Sequence, residues 1–323
     1  MNPIADRLRI QPVVVLDGAL ATELERRGAD LRDPLWSAKC LIESPERIRA
    51  VHMDYFRAGA DVATTATYQA TFAGFQRRGI DRPRAERLMR DAVALAADAR
   101  DEFWADPSHR ASRSRPLVAA SVGPYGAMLA DGSEYRGDYS VGDLELTAFH
   151  RPRLEVLAAC GAELIACETV PCLREAIVLA RLLEDFPAAS AWISFSCRDG
   201  SRTSHGEPVA ECAAALRGND RVVALGVNCT APRFVGEILE RMSEHADKPL
   251  LAYPNSGEVY DADAKRWNGH SDCRRLPDQV HDWYRAGARL IGGCCRSTPE
   301  DIRAIRAQAR TMAGPPGSSS MMI

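Results

Sequence analysis

"PERIRAVHMDYFRAGADVATTATY", residues 45–68, changes its period partway along. The first part sets Ile48, Val51, Tyr55 and Phe56 at helical spacings of three and four. The second, "DVATTATY" (61–68), is a run of β-branched and aromatic residues suited to a strand. A β-rich run, "VVVLDG" (13–18), precedes the helix-like segment, so 13–68 reads as strand, helix, strand. The pattern recurs in "PLVAASVGP" (116–124), "AELIACET" (162–169), "AWISFSC" (191–197), "VVALGVNC" (222–229), "PLLAYPNSG" (249–257) and "RLIGGCC" (289–295), eight β-rich runs in all. Helix-like segments such as "RAERLMRDAVALAADARDEF" from 84 and "LTAFHRPRLEVLAACG" from 146 lie between them. Such alternation predicts parallel strands joined by crossover helices, and the continuously apolar runs suit a sheet covered on both faces.

Eight units between about 13 and 310 predict an α/β (β/α)8 barrel, a fold of about 250 residues. A doubly wound open sheet is the alternative, but "LDGALATE" after the first strand lacks its G-x-G-x-x-G turn. No linker or shift of composition divides the chain, which reads as one domain over 1–323. Its Gly/Pro/Ser-rich end, "MAGPPGSSSMMI" (312–323), is expected to be a disordered tail.

The 41 basic and 44 acidic residues are interspersed and leave a net charge of -3, which offers no footprint for a nucleic acid. Apolar stretches such as "AVALAA" (92–97) fall far short of the roughly 20 residues a membrane span needs. The start, "MNPIADRLRIQP", has no secretory core. These features predict a cytoplasmic protein whose ten cysteines are free thiols or metal ligands. Oligomeric state stays open.

In a barrel, the strand carboxyl ends converge on one mouth. Here they carry Asp17 and Gly18, Thr67, Gly123, Glu168, Cys197, Asn228 with Cys229, Asn255, and Cys294 with Cys295. The long connections 19–44, 69–83, 125–143 and 258–276 lie on that rim as well. Strands six and eight are one strand apart around the ring, which lets Cys229 approach the later pair. Three cysteines with no fourth ligand at short spacing suit a zinc ion with one open position, the arrangement of catalytic rather than structural sites. Gly292 and Gly293 are expected to supply backbone freedom that turns both Cys294 and Cys295 inward. Zinc with three thiolates carries a net charge of -1, a poor Lewis acid that still holds a bound thiol deprotonated and nucleophilic. Alkyl transfer to a thiol is the natural use.

Cysteine is also a common small core residue, and that is the reading for Cys40, Cys160, Cys167, Cys172, Cys197, Cys212 and Cys273. A vicinal Cys294–Cys295 disulfide is a competing arrangement for the pair. Among the histidines, His52 and His150 fall in helical patterns and His205 and His270 in loops. None is expected to join the thiolates.

At these residues the sequence resembles the zinc-dependent homocysteine S-methyltransferases. The likeness rests on "GVNC" ending at Cys229, "GGCC" ending at Cys295, "LDGALATELERRG" (16–28), "SVGPYGAMLADGSEYRGDY" (121–139), "ACETVP" (166–171) and "YPNSGEVYDA" (253–262). It is strongest to the bacterial branch that uses S-methylmethionine and, less effectively, S-adenosylmethionine. The resemblance implies Zn2+ on Cys229, Cys294 and Cys295, and the ammonium group of L-homocysteine on Asp17 and Glu168. Gly18 and Asn228 adjoin these positions and are counted with the substrate-binding residues. The cationic methylsulfonium donor should favour aromatic faces, for which Tyr125, Tyr135 and Tyr139 in the third long connection are the candidates. Two other functions remain open: methylation of a related thiol or selenol such as selenohomocysteine, and a non-catalytic zinc-storage or thiol-redox role.

Overall fold

The computed structural model describes residues 2–312 apart from 32, 34, 111–112, 262–265 and 270–275. The tail from 313 onward, together with His270 and Cys273, lies outside the described residues. Eight strands form the core of the fold: β1 (Val14–Val15), β2 (Val62–Thr64), β3 (Leu117–Val122), β4 (Leu164–Val170), β5 (Ala191–Phe195), β6 (Val222–Asn228), β7 (Leu250–Tyr253) and β8 (Ala288–Ile291). All neighbours are parallel, and β1 lies beside β8 at one end of the order while β2 ends the other. A parallel bridge between Leu16 and Val62 joins those ends, with Asp61 N donating to Val15 O at 2.7 Å and Asp17 N to Val62 O at 3.1 Å. The ring is therefore a (β/α)8 barrel, and closure rules out the open sheet.

Strand residues alternate between two apolar layers, as a period of two demands. Leu164 and Ala166 join Val14, Leu16, Trp192, Leu251 and Leu290 inside the barrel, while Ile165 and Cys167 face the outer layer with Val118, Ile193 and the helices. Helix Pro3–Leu8 sends Ile4 into the interior cluster. Its Arg7 guanidinium donates to Arg115 O just ahead of β3, so this helix covers the amino end. The outer helices bury one stripe each; in Pro45–Ala58 the stripe includes Ile48, Val51, Tyr55 and Phe56, the residues whose spacing predicted the helix.

Strands two, seven and eight stop earlier than their β-rich runs. Thr65 to Tyr68, Pro254 to Gly257 and Gly292 to Cys295 continue as turns and irregular chain on the carboxyl rim. After β7 the chain forms an antiparallel ribbon of Val259–Asp261 with Arg266–Asn268, an element without a counterpart among the expected units. Among the described residues no helix is long and apolar enough to cross a membrane.

Candidate metal and substrate site

Cys294 and Cys295 follow β8 in a stretch whose amides alternate between the two neighbouring strands. Gly292 N donates to Ala252 O, Gly293 N to Asp17 O and Cys294 N to Pro254 O, at 3.0, 3.0 and 2.7 Å. The chain then turns, with Ser297 N donating to Cys294 O at 3.1 Å and Arg296 at φ 74° in the third turn position, where a type II turn needs positive φ. Strand alternation therefore ends at Cys294. Cys295 belongs to the turn, and both side chains can face the mouth.

The glycines before them do a different job from the expected one. Neither Gly292 nor Gly293 has positive φ; each permits close approach instead. A Cβ on Gly292 would lie 2.6 Å from Leu16 Cβ, and one on Gly293 2.5 Å from Ser297 Cβ. Positive φ at the site falls on Thr169 at 60° and Cys229 at 45°, side chains for which that region is uncommon and which mark over-determined positions.

The three sulfurs lie within 4.8 Å of one another. Cys229 and Cys294 are joined in a disulfide, with Cα atoms 5.5 Å apart, which corrects the expectation of free thiols at these two positions. The vicinal alternative does not occur: consecutive Cα atoms are about 3.8 Å apart, closer than disulfides ordinarily span. Cys295 remains a thiol, with its sulfur 3.7 Å from Cys229 Sγ and 4.0 Å from Cys294 Sγ. Thiolates about 2.3 Å from a tetrahedral zinc stand about 3.8 Å apart. Two of the three separations already have that value, and reduction of the disulfide would free the third. The donor set thus fits a thiophilic metal. Burial, then the Glu168 charge, pushes the Cys295 thiol up to about 12, so a cation placed against it is what would hold it as thiolate. No histidine or carboxylate joins this cluster among the described residues. His150 is buried against Glu175 and His205 pairs with Glu207 on the surface.

The sulfurs open into a cavity lined also by Asp17, Gly18, Trp36, Tyr68, Gln69, Glu134, Tyr135, Glu168, Thr169 and Tyr253. Asp17 accepts from Thr64 N and Thr64 Oγ1 at 2.7 and 2.9 Å. Glu168 accepts from the Ser121 hydroxyl. Burial raises the Asp17 carboxyl to about 8, with the Glu168 charge adding to it, and burial raises Glu168 to about 7. Neither forms an ion pair among the described residues, so the two share a buried site that a ligand cation would complete.

Asn228 is fully buried and is not among the cavity-lining residues. Its Oδ1 accepts from Thr169 N at 2.7 Å and from Ser194 Oγ at 2.8 Å, and its Nδ2 donates to Thr169 Oγ1 at 2.8 Å. It fixes the strained residue next to Glu168 and acts as a strut beneath the site. Of the three tyrosines, Tyr135 reaches the cavity. Tyr125 packs on Phe149 with ring centres 5.1 Å apart, and Tyr139 donates to the buried Glu175 carboxylate. The aromatic wall is made instead by Trp36 and Tyr68, in edge contact at 6.0 Å. Trp36 lies on the first long carboxyl-face connection and Tyr68 ends the second β-rich run, the signals that could have singled them out.

The profile of the homocysteine S-methyltransferase family matches residues 14–309. The chain belongs to the homocysteine S-methyltransferase family. The Bacillus subtilis homocysteine S-methyltransferase YbgG is 52% identical over 312 residues, covering 97% of this chain and 99% of that protein. Another relative, the selenocysteine Se-methyltransferase of Brassica oleracea, is 47% identical over 303 residues, covering 90% of this chain and 87% of that protein. The Escherichia coli homocysteine methyltransferase MmuM has been solved in metallated and oxidized forms. Each is 48% identical with a TM-score of 0.86, over 95% of this chain and all of that one. This methyltransferase family thus includes a metallated member, and the three cysteine sulfurs here lie close enough together to ligate a single ion.

Proposed function

We propose that this chain transfers a methyl group from a methylsulfonium donor, S-methylmethionine or S-adenosylmethionine, to the sulfur of L-homocysteine, forming methionine. The observation that carries the reading is the convergence of three cysteine sulfurs and two unpaired buried carboxylates on one cavity. Cys229, Cys294 and Cys295 in reduced form would hold zinc, which supplies a coordination position where the substrate thiol sheds its proton and stays nucleophilic.

Asp17 and Glu168 hold the homocysteine ammonium group and so orient its sulfur toward the three cysteines. The faces of Trp36 and Tyr68 receive the sulfonium cation. The methyl carbon bonds to the homocysteine sulfur as its bond to the sulfonium breaks, and that electron pair leaves with the donor as a neutral thioether. No side chain need act as a base, because the thiol proton is lost before the methyl group moves. Fixing both substrates in one cavity supplies much of the acceleration.

Zinc content and methionine formation from homocysteine with S-methylmethionine, S-adenosylmethionine and betaine test this reading. Cys229→Ser should lose metal and activity together, and full activity in that variant would sink the thiolate mechanism. The selenium-methylating relative favours a second reading, in which a selenol is the acceptor; a higher kcat/KM for selenohomocysteine or selenocysteine than for homocysteine would select it.

A further inference from the structure

Two acceptor oxygens on the cavity wall have no partner. Glu134 Oε2 and Gln69 Oε1 are both buried and make no hydrogen bond, and both residues line the cavity. In each case the rest of the residue is held firmly. Gln69 Nε2 donates to Ala127 O at 2.8 Å, which fixes which end of the amide is oxygen. Glu134 O accepts from Ser196 Oγ at 2.9 Å. Gly126 lets the chain fold back here, since a Cβ on it would lie 2.6 Å from Glu134 N. The two residues therefore meet at the short helix Tyr125–Leu129. The neighbouring Arg136 pairs with Asp131 and Asp138 at the surface and forms no ion pair with Glu134 among the described residues.

A buried acceptor without a donor is costly and calls for one. A sulfonium carries no N–H or O–H and cannot supply it. The homocysteine ammonium, on the reading above, belongs to Asp17 and Glu168. The remaining cation of the reaction that is rich in N–H is the α-ammonium of the second amino acid, the donor. Glu134 and Gln69 line the same cavity as Trp36, Tyr68 and the three cysteines. We propose that Glu134 and Gln69 form the subsite for the α-ammonium group of the methylsulfonium donor and so select donors that are amino acids.

This inference rests on the methyl-transfer reading, and the test separates the two. Initial rates are measured at saturating homocysteine with S-methylmethionine and with 4-dimethylsulfoniobutyrate, which keeps the sulfonium and carboxylate and lacks the amine. A donor that is not turned over is scored by its inhibition constant against S-methylmethionine. The wild-type protein should prefer S-methylmethionine by about 10- to 100-fold, the worth of one or two charged hydrogen bonds. Glu134→Gln should remove most of that preference by weakening S-methylmethionine alone. Gln69→Met should remove part of it. In both variants the des-amino donor, the homocysteine KM and the metal content should stay at wild-type values, and these double as controls for folding. Equal losses with both donors, no loss with either, or a raised homocysteine KM would overturn the subsite. Failure of the wild-type protein to methylate homocysteine with any sulfonium would overturn the methyl-transfer reading and the subsite with it.

Discussion

Replacing Asn228 by alanine tests whether this residue is a strut or a substrate contact. The substitution removes four side-chain hydrogen bonds in a fully buried setting, the longest from Nδ2 to Cys294 Sγ at 3.9 Å. Thr169 N loses its acceptor, and an orphaned buried N–H costs about 1–3 kcal/mol. Ser194 keeps the Tyr253 hydroxyl at 2.6 Å, so its loss is about 1 kcal/mol, and the Thr169 hydroxyl can rotate to another partner. The expected destabilisation is about 2–4 kcal/mol, or a fall of roughly 5 °C in the melting temperature. Thr169 also loses what holds it at positive φ, so Glu168 should shift and the homocysteine KM should rise. Thermal unfolding by circular dichroism and steady-state kinetics read the two effects. An unchanged melting temperature with a raised KM would show that Asn228 touches substrate directly, and no change in either would refute the argument.

Zinc uptake by the protein carrying the Cys229–Cys294 disulfide should be negligible and should reach one ion per chain after reduction, as read by elemental analysis. Gly293→Ala would drive a Cβ into Ser297, whose hydroxyl holds Cys294 O at 2.7 Å and Ala19 N at 3.1 Å. Its affinity for zinc in a competition with a chromophoric chelator should fall about tenfold or more, in line with the roughly 1–3 kcal/mol that overpacking costs. L-Norvaline, an amino acid without sulfur, isolates the ammonium subsite. Asp17 and Glu168 are raised to about 8 and about 7, so in the empty site they take up protons as pH falls. Calorimetric affinity should then drop about tenfold per unit below pH 7. The same shifts have the opposite sign for the ligand-free fold: the stability they contribute is full below the unfolded carboxyl values near 4 and is lost as pH rises through about 7 to 8.

Periodicity made the barrel legible because each helix and strand is short, regular and faces a defined layer. Asp17, Glu168, Cys229 and the Cys294–Cys295 pair were legible because strand ends need no path to be known. The rest depends on how the rim connections run. Trp36, Tyr68, Gln69 and Glu134 reach the cavity through turns that carry no period. Tyr125 and Tyr139 stand in an equally aromatic stretch but turn toward Phe149 and Glu175. The glycines of "GGCC" looked like sources of backbone freedom, yet their missing side chains serve close packing against Leu16 and Ser297. The unusual φ values fall on residues with nothing in their type to announce them. Nor can spacing specify which two of three adjacent sulfurs are joined.

Asp17 bonds through its carboxylate to Thr64, across the junction of β1 with β2 that closes the ring. β1 contributes only two residues of regular strand there, so the carboxylate is part of the joint as well as part of the pocket. Acceptor preference and architectural integrity therefore share a single side chain. An engineer who changes Asp17 to admit another nucleophile must also give the Thr64 amide a new acceptor. Redesign through Glu168, whose partners are the Ser121 and Tyr253 hydroxyls rather than a backbone amide of the junction, leaves the joint intact.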